Sequence, residues 1–178
     1  ALSALGEHWE RALVFDKARA SYLAGARKAA PRYAHAEAER LYRAHLKLTE
    51  EPTSEGIAAR NELGSDVLVV QGRLEEALTE FRTAIAESRK IGHRPSEAES
   101  VRSLAQLERS RGRIEPARRL LEESLEIARE VRDSRLEGRV LGDLATCHYE
   151  QGRIEEARKL FERALSVHRE TGDRRYEG

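Results

Sequence analysis

Beyond residue 54 the apolar positions of this chain recur at helical spacing, in sets that return every forty residues. Ala77, Phe81, Ala84 and Ile85 lie three and four residues apart and form a stripe along one helix face. Ala157, Phe161, Ala164 and Leu165 repeat it two periods on. A second pattern alternates with the first, in which Val101, Leu104 and Ala105 are matched by Leu141, Leu144 and Ala145. Each forty-residue period therefore predicts two helices. The first helices fall near 56–70, 96–110 and 136–150, and the second near 74–90, 114–130 and 154–170. Between them stand Gly72-Arg73-Leu74, Gly112-Arg113-Ile114 and Gly152-Arg153-Ile154, where glycine suits the left-handed position that follows a helix. Gly92, Arg132 and Gly172 form one further column, and Glu97, Glu137 and Glu177 another. Pro116 falls in a first turn, where its missing N–H forfeits no bond. Ser134 with Glu137 reads as a capping box. Gly64 stands where a larger residue is usual, which predicts loose packing in the first full repeat.

The N-terminal third follows the same logic less regularly. Three helices are predicted near 2–12, 15–30 and 34–49, before a break at Glu51-Pro52-Thr53. Ala38, Tyr42 and Leu46 reproduce the spacing of the later second helices, and Leu5, Gly6 and Trp9 have the look of a first helix. The resulting division is an N-terminal helical region over 1–53, repeat units over 54–93, 94–133 and 134–173, and the opening of a further unit at 174–178. The whole reads as all-α, with about nine helices and no strand.

Composition narrows the classes of function. Lys+Arg and Asp+Glu number 32 each, so the basic excess that neutralises nucleic-acid phosphates is missing. No apolar run approaches the roughly 18 residues of a membrane span. The single cysteine, Cys147, rules out an internal disulfide framework and suits a reducing cytoplasm. The chain opens at Ala1 and has no methionine, which reads as an excised piece of a longer protein.

On these glycine, alanine and aromatic columns the sequence resembles the tetratricopeptide repeat family, strongly over 54–173 and weakly over 1–53. The forty-residue period, with Asp133-Ser134-Arg135-Leu136-Glu137-Gly138-Arg139, is similar to the longer repeats of kinesin light chains. The segments Glu7-His8-Trp9-Glu10-Arg11-Ala12 and Arg32-Tyr33-Ala34-His35-Ala36-Glu37-Ala38 are similar to the region after the nucleotide-binding module of bacterial signal-transduction ATPases and regulators. The resemblance implies a right-handed solenoid of antiparallel helix pairs, with first helices lining a concave groove. It also implies a scaffold or adaptor that holds a protein or peptide partner.

Catalytic chemistry finds no foothold in the sequence. There is neither a phosphate-binding glycine loop nor an HExxH or Cys/His ligand cluster, so no cofactor or metal is expected. Cys147 and His148 are adjacent on a helix and diverge by about 100°. The groove is where function is expected. After the apolar stripe is subtracted, the first helices present Glu62 and Asp66; then Glu99, Arg102, Gln106 and Arg109; then Arg139, Asp143, Thr146, Tyr149 and Glu150. Arg102, Gln106, Arg109, Arg139, Asp143, Thr146 and Tyr149 are the candidate partner-binding set, with guanidinium forks for carboxylates and a tyrosine as anchor. Some of the arginine charge is expected to be neutralised internally. Replacing Arg102 or Arg139 by alanine is expected to weaken binding and leave the thermal transition nearly unchanged. A second reading is a sensor that binds a small molecule or signalling peptide, for which a closed apolar pocket would speak. Finally, the last second helix carries Leu160, Phe161, Ala164, Leu165 and Val167, which predicts homo-association through 154–170 or a continuing repeat.

Overall fold

The computed structural model describes residues 2–172. Among them are nine α-helices and no strand. The chain forms two compact units that meet in sequence at Gly92 and His93. The first unit contains α1 (Leu2–Arg11), α2 (Phe15–Ala29), a 3-10 turn (Ala30–Arg32), α3 (His35–Lys47), α4 (Ser54–Leu63), a π-helical turn (Gly64–Leu68) and α5 (Leu74–Lys90). The second contains α6 (Arg94–Ser110), α7 (Ile114–Glu130), α8 (Ser134–Glu150) and α9 (Ile154–Thr171). The final residues assigned from sequence to a further unit, 174–178, lie outside the described residues, as does Glu177.

The helix ends follow from local chemistry that the repeat reuses. After α6 the Arg113 N–H bonds Glu108 O at 2.9 Å and the Gly112 N–H bonds Arg109 O at 2.8 Å. After α8 the same two bonds join Arg153 to His148 and Gly152 to Tyr149. This Schellman pattern needs a left-handed residue, and Gly112 and Gly152 both have φ of +75°. Arg132 takes the equivalent conformation after α7 at φ +58°, without glycine's freedom.

The starts repeat as well. Thr53, His93 and Asp133 each accept a hydrogen bond from the backbone N–H three residues on, and so cap α4, α6 and α8. The cap of α8 is thus Asp133, with Leu136 N at 3.0 Å from its Oδ1. Ser134 is the first helical residue and does not form the expected box, because the aspartate already occupies the position beside the free amides. α7 runs unbroken through Pro116.

Cores form where alanines let helices approach. Ala98, Ala105, Ala117 and Ala128 lie at 0% exposure among Leu121, Leu136, Val140, Leu141 and Leu144 in the second unit. The buried Ser124 hydroxyl donates to Ala98 O on α6 at 2.8 Å. In the first unit the expectation of loose packing at Gly64 is overturned. The Phe81 ring rests directly on Gly64, where a Cβ would fall inside the ring's van der Waals radius, and Phe81 is 1% exposed. The helix widens there, with Val69 N–H reaching Gly64 O at 2.9 Å. Tyr22 seats on Gly6 in the same manner, where a Cβ would lie 2.5 Å from its Cδ1.

Candidate functional site

The helices α6 and α8 of the second unit lie side by side, and their polar positions face one another one period apart. Arg102 Nε donates to Asp143 Oδ2 at 2.7 Å, and its Nη1 to Glu99 Oε1 at 3.0 Å. Gln106 Nε2 donates to both Asp143 oxygens, at 3.1 and 3.3 Å. Arg139 reaches back from α8 to Glu99 Oε1 and Oε2 at 3.2 and 2.7 Å. Arg109 closes the row on Glu150 Oε1 at 2.6 Å. Three arginines therefore meet three carboxylates, with Gln106 completing the coordination of Asp143. Charge-assisted bonds of this kind fix side chains that would otherwise be mobile.

The remaining candidates behave differently. Thr146 Oγ1 donates to Gly142 O in its own helix at 2.9 Å. Tyr149 stands 62% exposed at the end of the row. In the first unit, Glu62 is held by Arg27 through two bonds of 2.8 Å and by the Tyr42 hydroxyl at 3.1 Å. Burial, and then Glu62, push the Tyr42 hydroxyl well above the usual phenol range. Asp66 accepts a bond from Ser65 at 2.8 Å.

The ladder corrects one sequence-based expectation. The Arg102 side chain is 14% exposed and joins two carboxylates, so removing it disturbs the fold as well as the surface. Half-buried pairs lose more than rim pairs when broken, because desolvated partners are left behind.

A feature that sequence reasoning missed lies beside the ladder. A hollow of about 240 Å³ is lined by Arg102, Gly138, Arg139, Gly142, Asp143, Thr146, Phe161 and His168. A Cβ built on Gly142 would meet nothing within 4 Å. Gly138 instead accommodates His168 of α9, whose Cε1 would stand 2.7 Å from an added Cβ. Gly142 occupies the position of Arg102 one period earlier, and that break in the column was a readable signal.

Cys147 is fully buried, and burial pushes its thiol up to about 11. Among the described residues no group of three or more His, Cys, Asp or Glu is placed to hold a metal ion. No helix among them is long and apolar enough to cross a membrane.

Comparison with known proteins places these features in context. No curated protein matches the sequence. The chain superposes on aspartyl phosphate phosphatase F from Bacillus subtilis with a TM-score of 0.78 at 12% identity, covering 91% of this chain and 46% of that one. TPR-like repeats from Podosopora anserina, described as those of a kinesin light chain, give 0.68 at 21% identity, covering 88% and 77%. A Rap protein solved with competence and sporulation factor gives 0.75 at 16% identity, covering 98% and 55%. The chain thus spans about half the length of the phosphatase and of the Rap protein. At these identities the likeness is one of fold, and the fold is a tetratricopeptide-type array of helix pairs. The tetratricopeptide repeat profile itself matches residues 57–130 and again 104–170. On that match, which runs from α4 to α9, the chain belongs to the tetratricopeptide repeat family.

Proposed function

We propose that the chain is a scaffold or adaptor module that holds a segment of a partner protein along the joined faces of α6 and α8. The observation that carries this reading is the ladder, in which Arg102, Arg109 and Arg139 are held in place by Glu99, Asp143 and Glu150 with Tyr149 exposed beside them. Such a surface is ordered before a partner arrives, which lowers the entropic cost of binding. Its charge is balanced, so a partner gains by shape, by an apolar side chain against Tyr149 and by exchanging hydrogen bonds with the ladder. That points to an extended or helical protein segment with one or two acidic residues. A Rap protein of similar fold was solved in complex with competence and sporulation factor, which supports a holding role for an array of such helix pairs.

The same reading takes 54–93, 94–133 and 134–173 as repeat units and the chain as part of a larger signalling protein working in the cytoplasm. Zero net charge favours protein over nucleic acid as partner. A binding role without catalysis is supported by the state of Cys147, the one thiol, which is buried and protonated at neutral pH. A small-molecule sensor is less well supported, because the hollow beside the ladder is rimmed by Arg102, Arg139 and Asp143.

The test is selection of binders from a random-peptide display library on the immobilised chain, followed by titration against Tyr149→Ala and Arg109→Ala. Selected peptides should carry at least one acidic residue and lose tenfold or more in affinity on Tyr149→Ala. Peptides that bind both variants as well as the parent would place recognition elsewhere.

A further inference from the structure

The joint between α1 and α2 has the backbone of its later copies but not their side chains. Val14 N–H bonds Trp9 O at 2.9 Å and Leu13 N–H bonds Glu10 O at 3.0 Å, as Asp133 bonds Ala128 and Arg132 bonds Arg129 after α7. That register makes Leu13 the equivalent of Gly92 and Arg132, and Phe15 the equivalent of Arg94 and Ser134. Leu13 holds the left-handed conformation at φ +58°, which glycine adopts without the strain a side chain adds. Yet Leu13 is 73% exposed and Phe15 46%, so core packing does not explain either residue. Packing of a further repeat does not cover such a joint. Arg132 is exposed although one helix pair precedes it and another follows within the same unit.

Beside this joint α3 stops one turn short. It has 13 residues against 17 in α7, and six residues, Leu48 to Thr53, then cross to α4 where three suffice between α7 and α8. In the second unit the last turn of α7 brings Glu130 to Arg94 of α6 at 2.6 Å. In the first unit the missing turn leaves a hollow of about 400 Å³. Phe15 and Leu48 are among its apolar walls, and Asp16, Glu50, Glu51 and Lys47 among its charged ones. Arg19, also on the wall, is held by Asp16 at 2.5 Å, and Lys90 of α5 reaches Glu51 at 3.1 Å. The Asp16 and Glu51 side chains nonetheless stay 90% and 80% exposed. Among the described residues no cation pairs with Glu50. The lining thus shows solvent three exposed carboxylates against one exposed cation, Lys47.

We propose that this joint and hollow form a docking surface for a segment of a partner protein that carries a leucine or aromatic side chain next to a lysine or arginine. The apolar side chain seats against Leu13, Phe15 and Leu48 and takes their surface out of water. The basic group meets Glu50 in a charge-assisted bond. The acidic rim disfavours the other ways of covering the two apolar residues: it repels an anionic lipid surface, and a second copy would bring the same carboxylates. All of these residues lie in the first unit, so the proposal stands independently of the ladder on α6 and α8.

The array itself supplies the variants for a test. Leu13→Gly copies Gly92 and Phe15→Ser copies Ser134, so both should keep the parent's circular dichroism. Short random peptides displayed on phage are selected on the 178-residue chain and counter-selected on the chain carrying both substitutions. The survivors are then synthesised and titrated by fluorescence anisotropy. They should pair an apolar side chain with a neighbouring lysine or arginine, and lose tenfold or more in affinity on Phe15→Ser and on Glu50→Lys. Tyr149→Ala should leave their affinity unchanged. Glu50 is exposed, so its charge reversal decides the matter even if a joint variant folds poorly. The proposal is overturned if no peptide survives counter-selection, or if the survivors bind the Glu50→Lys chain as well as the parent. It is equally overturned if Phe15→Ser dissociates a dimer seen by sedimentation, or abolishes binding to phosphatidylserine vesicles, since the occupant would then be a second copy or a membrane.

Discussion

Gly64→Ala offers a strong test of the packing logic, because two rules predict opposite signs for it. In an exposed helix interior, alanine is more favourable than glycine by about 1 kcal/mol. At position 64 the added methyl would meet the Phe81 ring, with Cε1, Cζ and Cδ1 all too near for ordinary contact. Phe81 is 1% exposed and cannot swing into solvent without opening the core. Overpacking of this kind typically costs 1–3 kcal/mol, and a clash with a ring held on all sides belongs at the upper end. The net expectation is a loss of about 1–2 kcal/mol, which for a chain of this size is roughly 2–8 °C in the melting temperature. The assay is thermal and urea unfolding followed by far-UV circular dichroism. The double variant Gly64→Ala with Phe81→Leu should recover much of the loss, because leucine fills the ring's position at Leu121 one period on. A stabilised single variant, or a double variant that equals the sum of the singles, would refute the claim that Phe81 seats on Gly64.

Three further outcomes follow from named residues. Arg102→Ala should lower stability by about 1–2 kcal/mol, since it strips Asp143 and Glu99 of a half-buried partner, whereas Arg109→Ala, which removes a single more exposed pair, should change it by under about 0.5 kcal/mol; equal effects in chemical denaturation would count against the ladder. Arg132→Gly should stabilise by about 1 kcal/mol by relieving a left-handed non-glycine residue, and a lower melting temperature would contradict it. Cys147 should resist a water-soluble disulfide reagent in the native chain and react only on unfolding. Because its thiol is raised from 9.0 to about 11 in the fold, its neutral form contributes stability that is lost as pH climbs from about 9 to 11. Stability unchanged across that window in a Cys147→Ala comparison would refute the contribution.

Much of the fold was legible because the sequence repeats itself. The glycines at 112 and 152 and the alanines at 117 and 157 mark the same joints twice, so helix positions could be read by alignment of the chain with itself. The starting caps were harder to see. Thr53, His93 and Asp133 do one job with three different side chains, each accepting from the amide three residues on. Gly64 was misread because sequence spacing shows which residue is small but not which ring fills the space. At the ladder, neutralisation of some arginine charge by Glu99, Asp143 and Glu150 was expected, while the particular pairings were not assigned. The signal was present: Glu99 and Arg139 stand 40 residues apart, and Arg102 with Asp143 and Arg109 with Glu150 stand 41 apart, which is one period plus the offset of neighbouring helices. The hollow depended on Gly142 breaking a column, and part of its wall, Phe161 and His168, comes from α9, whose side chains no first-helix pattern includes.

The most direct test of the interaction role is site-specific photo-crosslinking with a selected peptide. Benzoyl-phenylalanine in place of Thr146, in the C-terminal third of α8 beside the ladder, should crosslink the peptide on irradiation. The same probe in place of Arg119, exposed on α7 and away from the ladder, should give little or no crosslink. Labelling from position 119 with none from position 146 would contradict the assignment of the binding face to α6 and α8.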